Sequence, residues 1–325
     1  MSPSARDLRP DTGERGLASW SSDDVAVLLS AAWDGLLEVA SAADLHADTR
    51  LPGRTAHDLL VHMGRWSDDR DDLAALEAEA RTASVSSLDD AEARTVAKLA
   101  AHRDAPRAEV LDALRAARDH VLGFVGAPDA SEVGRRLVQS MLGPLPLTGL
   151  LAAQTVDLAV HALDITAGTE RRVPDELLHA GVGGITDVTG ALAARAGIPT
   201  TFAVVTPQGR WATGSDDEGA WTTMRLDLDG RPAGPGWPAL VGEAADVLDA
   251  VTGRALAVQL IATRRIRLQG VPGLLRLVPA LQPVPGLPGG SALQACMRTL
   301  SQTGRLLGRV SSGATRGVAS TLRRR

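Results

Sequence analysis

Apolar residues recur at helical intervals through most of the first 170 positions. Val25, Leu28, Leu29, Trp33, Leu36, Leu37 and Val39 share one face of a helix predicted over about 22–44, and Ser22-Asp23-Asp24 offers an N-cap and an acidic first turn. Thr55 followed by Asp58 resembles a capping box and opens a second helix. That helix carries Leu59, His62, Met63 and Trp66 on one face, and the pattern continues to about Thr82. Residues 88–104 and 107–126 are also helical in pattern, separated at Pro106, and the second piece has a stripe of Leu111, Leu114, Ala117, Val121 and Phe124. Residues 131–147 are irregular, with Gly143-Pro144 and Pro146. A long apolar helix then runs over about 148–167 and ends at Gly168. Four long helices in so short a stretch make an antiparallel four-helix bundle the economical packing.

The pattern changes after Arg172. A helix over 174–196 leads to a β-rich run at 201–205, a turn at 207–210 and a returning strand at 211–213. Thr222 to Leu228 alternates as a half-buried strand. A helix over 244–252, a short strand at 266–268 and a helix over 273–281 complete a small α+β domain. From Pro283 a Pro/Gly linker leads to a weakly amphipathic stretch at 291–310 and a terminal Arg323-Arg324-Arg325. The expected organisation is a disordered lead at 1–20, a bundle at 21–172, an α+β domain at 173–282 and a basic tail at 283–325.

Composition narrows the function. Apolar residues form 44% of the 325, enough for a sizeable core, and charged residues 22%, which argues against a disordered chain. Aromatics are only 2%, so a base-stacking surface lacks material and no nucleic-acid partner is expected. The single Cys296 excludes an intramolecular disulfide framework and a cysteine zinc cluster, lies in the tail outside any motif, and is assigned no catalysis. No Asp or Glu follows Asp249. Residues 250–325 therefore carry +12 and residues 1–249 carry −17, within a total of −5. The basic tail has two readings: a solvated, disordered segment, or weak contact with an anionic membrane surface. The polar N-terminal residues have no apolar signal core, and the apolar run from Met141 to Ile165 is interrupted by Gln154, Asp157, His161 and Asp164. A soluble, cytoplasmic monomer is expected.

Any metal must use His and carboxylates. Asp157 and His161 stand one turn apart on a helix that is otherwise nearly all apolar, and a carboxylate there needs a partner. His62 lies in the apolar face of the second helix. One His on one helix and an Asp-x-x-x-His pair on another could make a three-ligand site for Zn²⁺ or a similar ion, with a position left open. Asp164 could orient an imidazole from behind, or pair with an Arg at a helix end. The bland alternatives stand beside this: His62 as a satisfied core residue, and Asp157 and His161 bonded to each other. His46, His57, His102, His120 and His179 read as solvated.

Thr55-Ala-His-Asp-Leu-Leu-Val-His-Met-Gly-Arg-Trp66 resembles the second-helix motif of the mycothiol-dependent maleylpyruvate isomerase family, DinB-like bundles in which the His matching His62 is a metal ligand. Thr155-Val-Asp-Leu-Ala-Val-His-Ala-Leu-Asp164 resembles the family's fourth-helix motif, which maps ligands onto Asp157 and His161 and an outer acid onto Asp164. The family usually has Glu where this chain has Asp157. Val241 to Arg254, with Ile266-Arg-Leu-Gln-Gly270, is similar to the sterol-carrier-like domain fused to these bundles. The resemblance covers about 22–282. It implies a divalent metal, usually Zn²⁺, mycothiol as the low-molecular-weight thiol, and a metal-bound thiolate that isomerises a cis double bond or is transferred to a small electrophile. Arg254 is then a candidate for holding an anionic substrate group, with helix capping as its structural alternative. Arg264, Arg265 and Arg267 are alternatives for the anion role. The competing function is a non-catalytic carrier of a small apolar ligand with a vestigial metal site.

Overall fold

The computed structural model describes residues 8–67, 72–82, 91–140, 142–226 and 237–281. A 3-10 turn, Gly16–Ser19, precedes α1 (Ser22–Ala42), α2 (Ala56–Met63), α3 (Asp72–Thr82), α4 (Ala91–Ala101), α5 (Arg107–Val125) and the short α6 (Ala130–Gly134). A two-strand ribbon, β1 (Leu137–Val138) and β2 (Leu145–Pro146), leads into α7 (Leu147–Thr166) and α8 (Asp175–Arg195). Then follow β3 (Thr200–Thr206), β4 (Gly209–Ser215), β5 (Trp221–Leu226), β6 (Ala239–Gly242), α9 (Ala244–Val251), α10 (Ala257–Ala262), β7 (Ile266–Gln269), α11 (Val271–Arg276) and α12 (Val278–Leu281).

Helices α1, α2, α5 and α7 form the bundle: α1 packs on α5 and α7, and α2 closes the ring against the same two. The second part is a five-stranded sheet in the order β5-β4-β3-β6-β7, antiparallel except for the β3–β6 pair. The chain is thus a helical region followed by a sheet-containing domain, as its pattern predicts. Helix α8 joins them, packing on α1 and α7 on one side and on β3, β4 and β5 on the other. Both α1 and α8 are long and apolar enough to cross a membrane by length and composition, but 89% of the apolar stretch of α8 is buried inside this fold. Glycines let α8 sit so deep: a Cβ on Gly184 would lie 2.5 Å from the Ala152 carbonyl oxygen, and one on Gly183 would lie 2.6 Å from the Trp211 ring.

Several expectations need correction. The second helix does not run on to Thr82. It stops at Met63, because Gly64 turns extended (φ −69, ψ 153) and lies so close to α5 that a Cβ would meet Ala113 at 2.9 Å. Arg65 N–H then donates to the Ala113 carbonyl, and the Trp66 indole donates to Val61 O. The lead is not disordered over 8–20. Leu8 and Leu17 are buried, the Arg15 main chain bridges to Trp221, and the Trp20 indole donates to Thr223 O. The α1 cap is Ser21 and not Ser22: its hydroxyl accepts from Asp24 N–H. Strand β6 and helix α10, four and six residues long, are too short for periodicity to show. Residues 1–7, the 283–325 tail with Cys296, and the membrane-contact reading of that tail lie outside the described residues.

Candidate functional site

The capping box fixes the start of α2. Thr55 Oγ1 accepts from Asp58 N–H while the Asp58 carboxylate accepts from Thr55 N–H, so the helix begins in a defined register and presents His62 in its last turn. Helix α7 presents Asp157 and His161 one turn apart. The two imidazoles meet across the bundle: the rings of His62 and His161 stand edge to face at 89°, with centroids 6.0 Å apart.

Both His62 and Asp157 are exposed, with protein atoms close around their polar ends. Desolvation, aided by His161, Lys98 and Arg54, pushes His62 down to about 4, so it is a neutral imidazole with a free lone pair near neutral pH. Desolvation drives Asp157 upward, against the pull of His161 and Arg254. A carboxylate held this way gains from a nearby cation.

Asp164 is fully buried at the end of α7. His161 Nδ1 donates to its Oδ2 at 3.4 Å, and Arg254 Nη2 donates to the same oxygen at 3.2 Å. Arg50 Nε donates to Oδ1 at 3.1 Å. Burial alone would raise the Asp164 carboxyl, but His161, Arg254 and Arg50 outweigh it and hold it below the usual range. The structure therefore brings His62, Asp157, His161, Asp164 and Arg254 into one neighbourhood. It also adds Arg50 and Asp249, which sequence reasoning misses. A buried Asp164 calls for counter-charge, but nothing in a loop sequence singles out Arg50.

The donor set fits a divalent ion in type: two imidazoles, His62 neutral near pH 7, one carboxylate that a cation would stabilise, and an outer acid behind His161. Two imidazoles on one ion would stand about 5 Å apart by ordinary Zn–N lengths, a little closer than the pair here. Asp157 stops about 1.5 Å short of the reach of a Glu. Among the described residues, no three His, Cys, Asp or Glu side chains already converge on one point.

Other candidates fall elsewhere. Arg264 sits in the turn before β7 with a left-handed backbone (φ 59). Arg265 pairs with Asp246, with Nε 3.0 Å from Oδ2, and Arg267 lies on the edge strand β7. Three histidines that read as solvated are not. His57 bonds Ala105 O at 3.0 Å, His102 stacks on Trp66 at 3.8 Å, and His179 packs against Trp211 at 5.1 Å.

Residues 27–166 match the family model described as the mycothiol maleylpyruvate isomerase N-terminal domain. No curated protein matches the chain. Among solved structures, the crystal structure of the mycothiol-dependent maleylpyruvate isomerase is similar over 74% of this chain and 92% of its own, at 14% identity and a TM-score of 0.46. A histidine-to-alanine mutant of that isomerase matches over the same shares at 14% identity and 0.45. The matched stretch, residues 27–166, holds His62, Asp157, His161 and Asp164, and the likeness to the mycothiol maleylpyruvate isomerase N-terminal domain is to that stretch of the chain.

Proposed function

We propose that the cleft between α2 and α7 binds a divalent ion, Zn²⁺ or a close relative, through His62, Asp157 and His161, and that the chain is a mycothiol-dependent enzyme acting on a small electrophile. The reading is carried by one observation: in the stretch similar to this family's domain, His62 and His161 face each other 6.0 Å apart with Asp157 one turn away. A divalent ion held there would favour the thiolate of a thiol whose free pKa is about 8.5. The chain supplies the rest. The Nδ1–H of His161 is committed to Asp164, which leaves Nε2 as the nitrogen available in the cleft. Arg254 reaches the same place from the second domain. Its Nη2 is tied to Asp164, and its positive charge beside the proposed ion makes it the candidate for holding an anionic substrate group. In the isomerase reading, thiolate adds to one carbon of a cis alkene, the resulting single bond rotates, and expulsion of the same thiolate restores a trans alkene. The same reading puts the protein in the cytoplasm, where small thiols stay reduced.

Protein purified without chelator should carry about one Zn²⁺ per chain and isomerise maleylpyruvate only with mycothiol present. The His62→Ala variant should lose the ion and the activity. A metal-free wild type, or full metal retention in the variant, contradicts the proposal.

A cavity of about 510 Å³ supports the second reading, an apolar-ligand carrier. It lies beside the cleft, with Trp33, Trp66, Leu73, Val121 and Leu151 in its walls. Stoichiometric binding of an apolar ligand by protein that takes up no metal would favour it.

A further inference from the structure

We propose that Arg50 is a positioning residue that fixes His161 by clamping Asp164, and that the outer edge of the same guanidinium holds the second domain over the cleft. The inference rests on the metal-site reading for its consequence, but its geometry stands apart from that reading.

Arg50 lies in the loop between α1 and α2, far along the chain from α7. The loop is itself braced. Thr49 N–H and Oγ1 both donate to Arg54 O, and the Leu51–Arg54 turn closes with Arg54 N–H donating to Leu51 O at 3.1 Å. Arg50 N–H donates to the Asp164 backbone carbonyl at 3.3 Å, so main chain and side chain grip the same residue. The guanidinium then divides its donors. Nε and Nη2 approach Asp164 Oδ1, both at 3.1 Å. Nη1 and Nη2 donate to the two oxygens of Asp249 at 2.7 and 3.0 Å, in the fork geometry that only an arginine supplies. With Oδ1 held, Asp164 offers Oδ2 to His161 and to Arg254. Asp249 and Arg254 flank the end of α9, so the second contact ties that helix end to α7.

The two contacts can be cut separately. The Arg50→Ala variant removes both, Arg50→Lys keeps the charge without the fork, and Asp249→Asn weakens only the contact with the second domain. Zn²⁺ affinity is read by chelator competition on each intact variant, with far-UV circular dichroism as the check on folding. Arg50→Ala should weaken Zn²⁺ binding about tenfold or more, the range typical when a partner behind a metal-binding histidine is lost, Arg50→Lys should recover part of it, and Asp249→Asn should stay within about twofold of wild type. Equal losses in Arg50→Ala and Asp249→Asn, or no loss in Arg50→Ala, overturn the proposal. A metal-free measurement keeps it testable should wild type take up no Zn²⁺, a result that would count against the proposed function alone. At about pH 8.5, where an ordinary imidazole is neutral, side-chain ¹⁵N shifts should show His161 protonated at Nδ1 in wild type and a tautomer mixture in Arg50→Ala. The same tautomer balance in both proteins overturns the clamp, as does an Nε2-protonated His161 in wild type or a variant that has lost its fold.

Discussion

Burial decides what individual polar residues do. Asp187, on α8, is buried, and its Oδ1 accepts from Leu17 N–H, the Trp221 indole and Thr223 Oγ1 at 3.0, 3.0 and 2.7 Å. Desolvation nonetheless pushes its carboxyl up to about 6, against the pull of those donors. A folded carboxyl that titrates near 6, against 3.8 when exposed, contributes stability that is complete below 3.8 and lost as pH rises through about 6. Asp187→Asn cannot ionise. Urea unfolding from pH 4 to pH 8 should therefore shift the stability difference toward the variant by about 2 kcal/mol, whereas parallel profiles would show that Asp187 is not held in this way. His62, Asp157, His161 and Asp164 are legible in the sequence because charged or imidazole side chains stand out in apolar helices. Asp187 and Arg50 are not, since their partners come from other segments of the chain, 34, 36 and 170 residues away for Asp187 and 114 for the Arg50–Asp164 pair.

Elements are legible where periodicity is long. The predicted helices over 107–126, 148–167 and 174–196 match α5, α7 and α8 to within about a residue. The break after α2 is not legible, because the helical pattern continues through Gly64 and only close packing on Ala113 ends it. The same packing logic separates glycines. Gly184→Ala would place a methyl 2.5 Å from a backbone oxygen of α7, and it should lower stability in urea by about 2 kcal/mol. Gly123, on the exposed side of α5, has nothing within 4 Å, and Gly123→Ala should raise stability by about 1 kcal/mol through helix propensity. Equal effects at the two sites would contradict the packing of α8 on α7.

At the scale of the molecule, the cleft is assembled from three places: the end of α2, the second half of α7 and the turn after α9. The charge division visible in the sequence contributes here, since Arg254 from the acid-free region answers Asp164 from the acidic one. The two-part architecture can be read from the chain, but the role of α8 as a shared wall cannot, because its nearly unbroken small and apolar residues mark a helix buried all round without saying which elements bury it. The most direct measurement of the proposed metal site is X-ray absorption spectroscopy at the zinc edge of Zn²⁺-loaded protein. One site per chain is predicted, with two imidazole nitrogens at about 2.0 Å and at least one oxygen, and one fewer imidazole in His62→Ala. A zinc environment without imidazole scattering, or one unchanged in that variant, would contradict it.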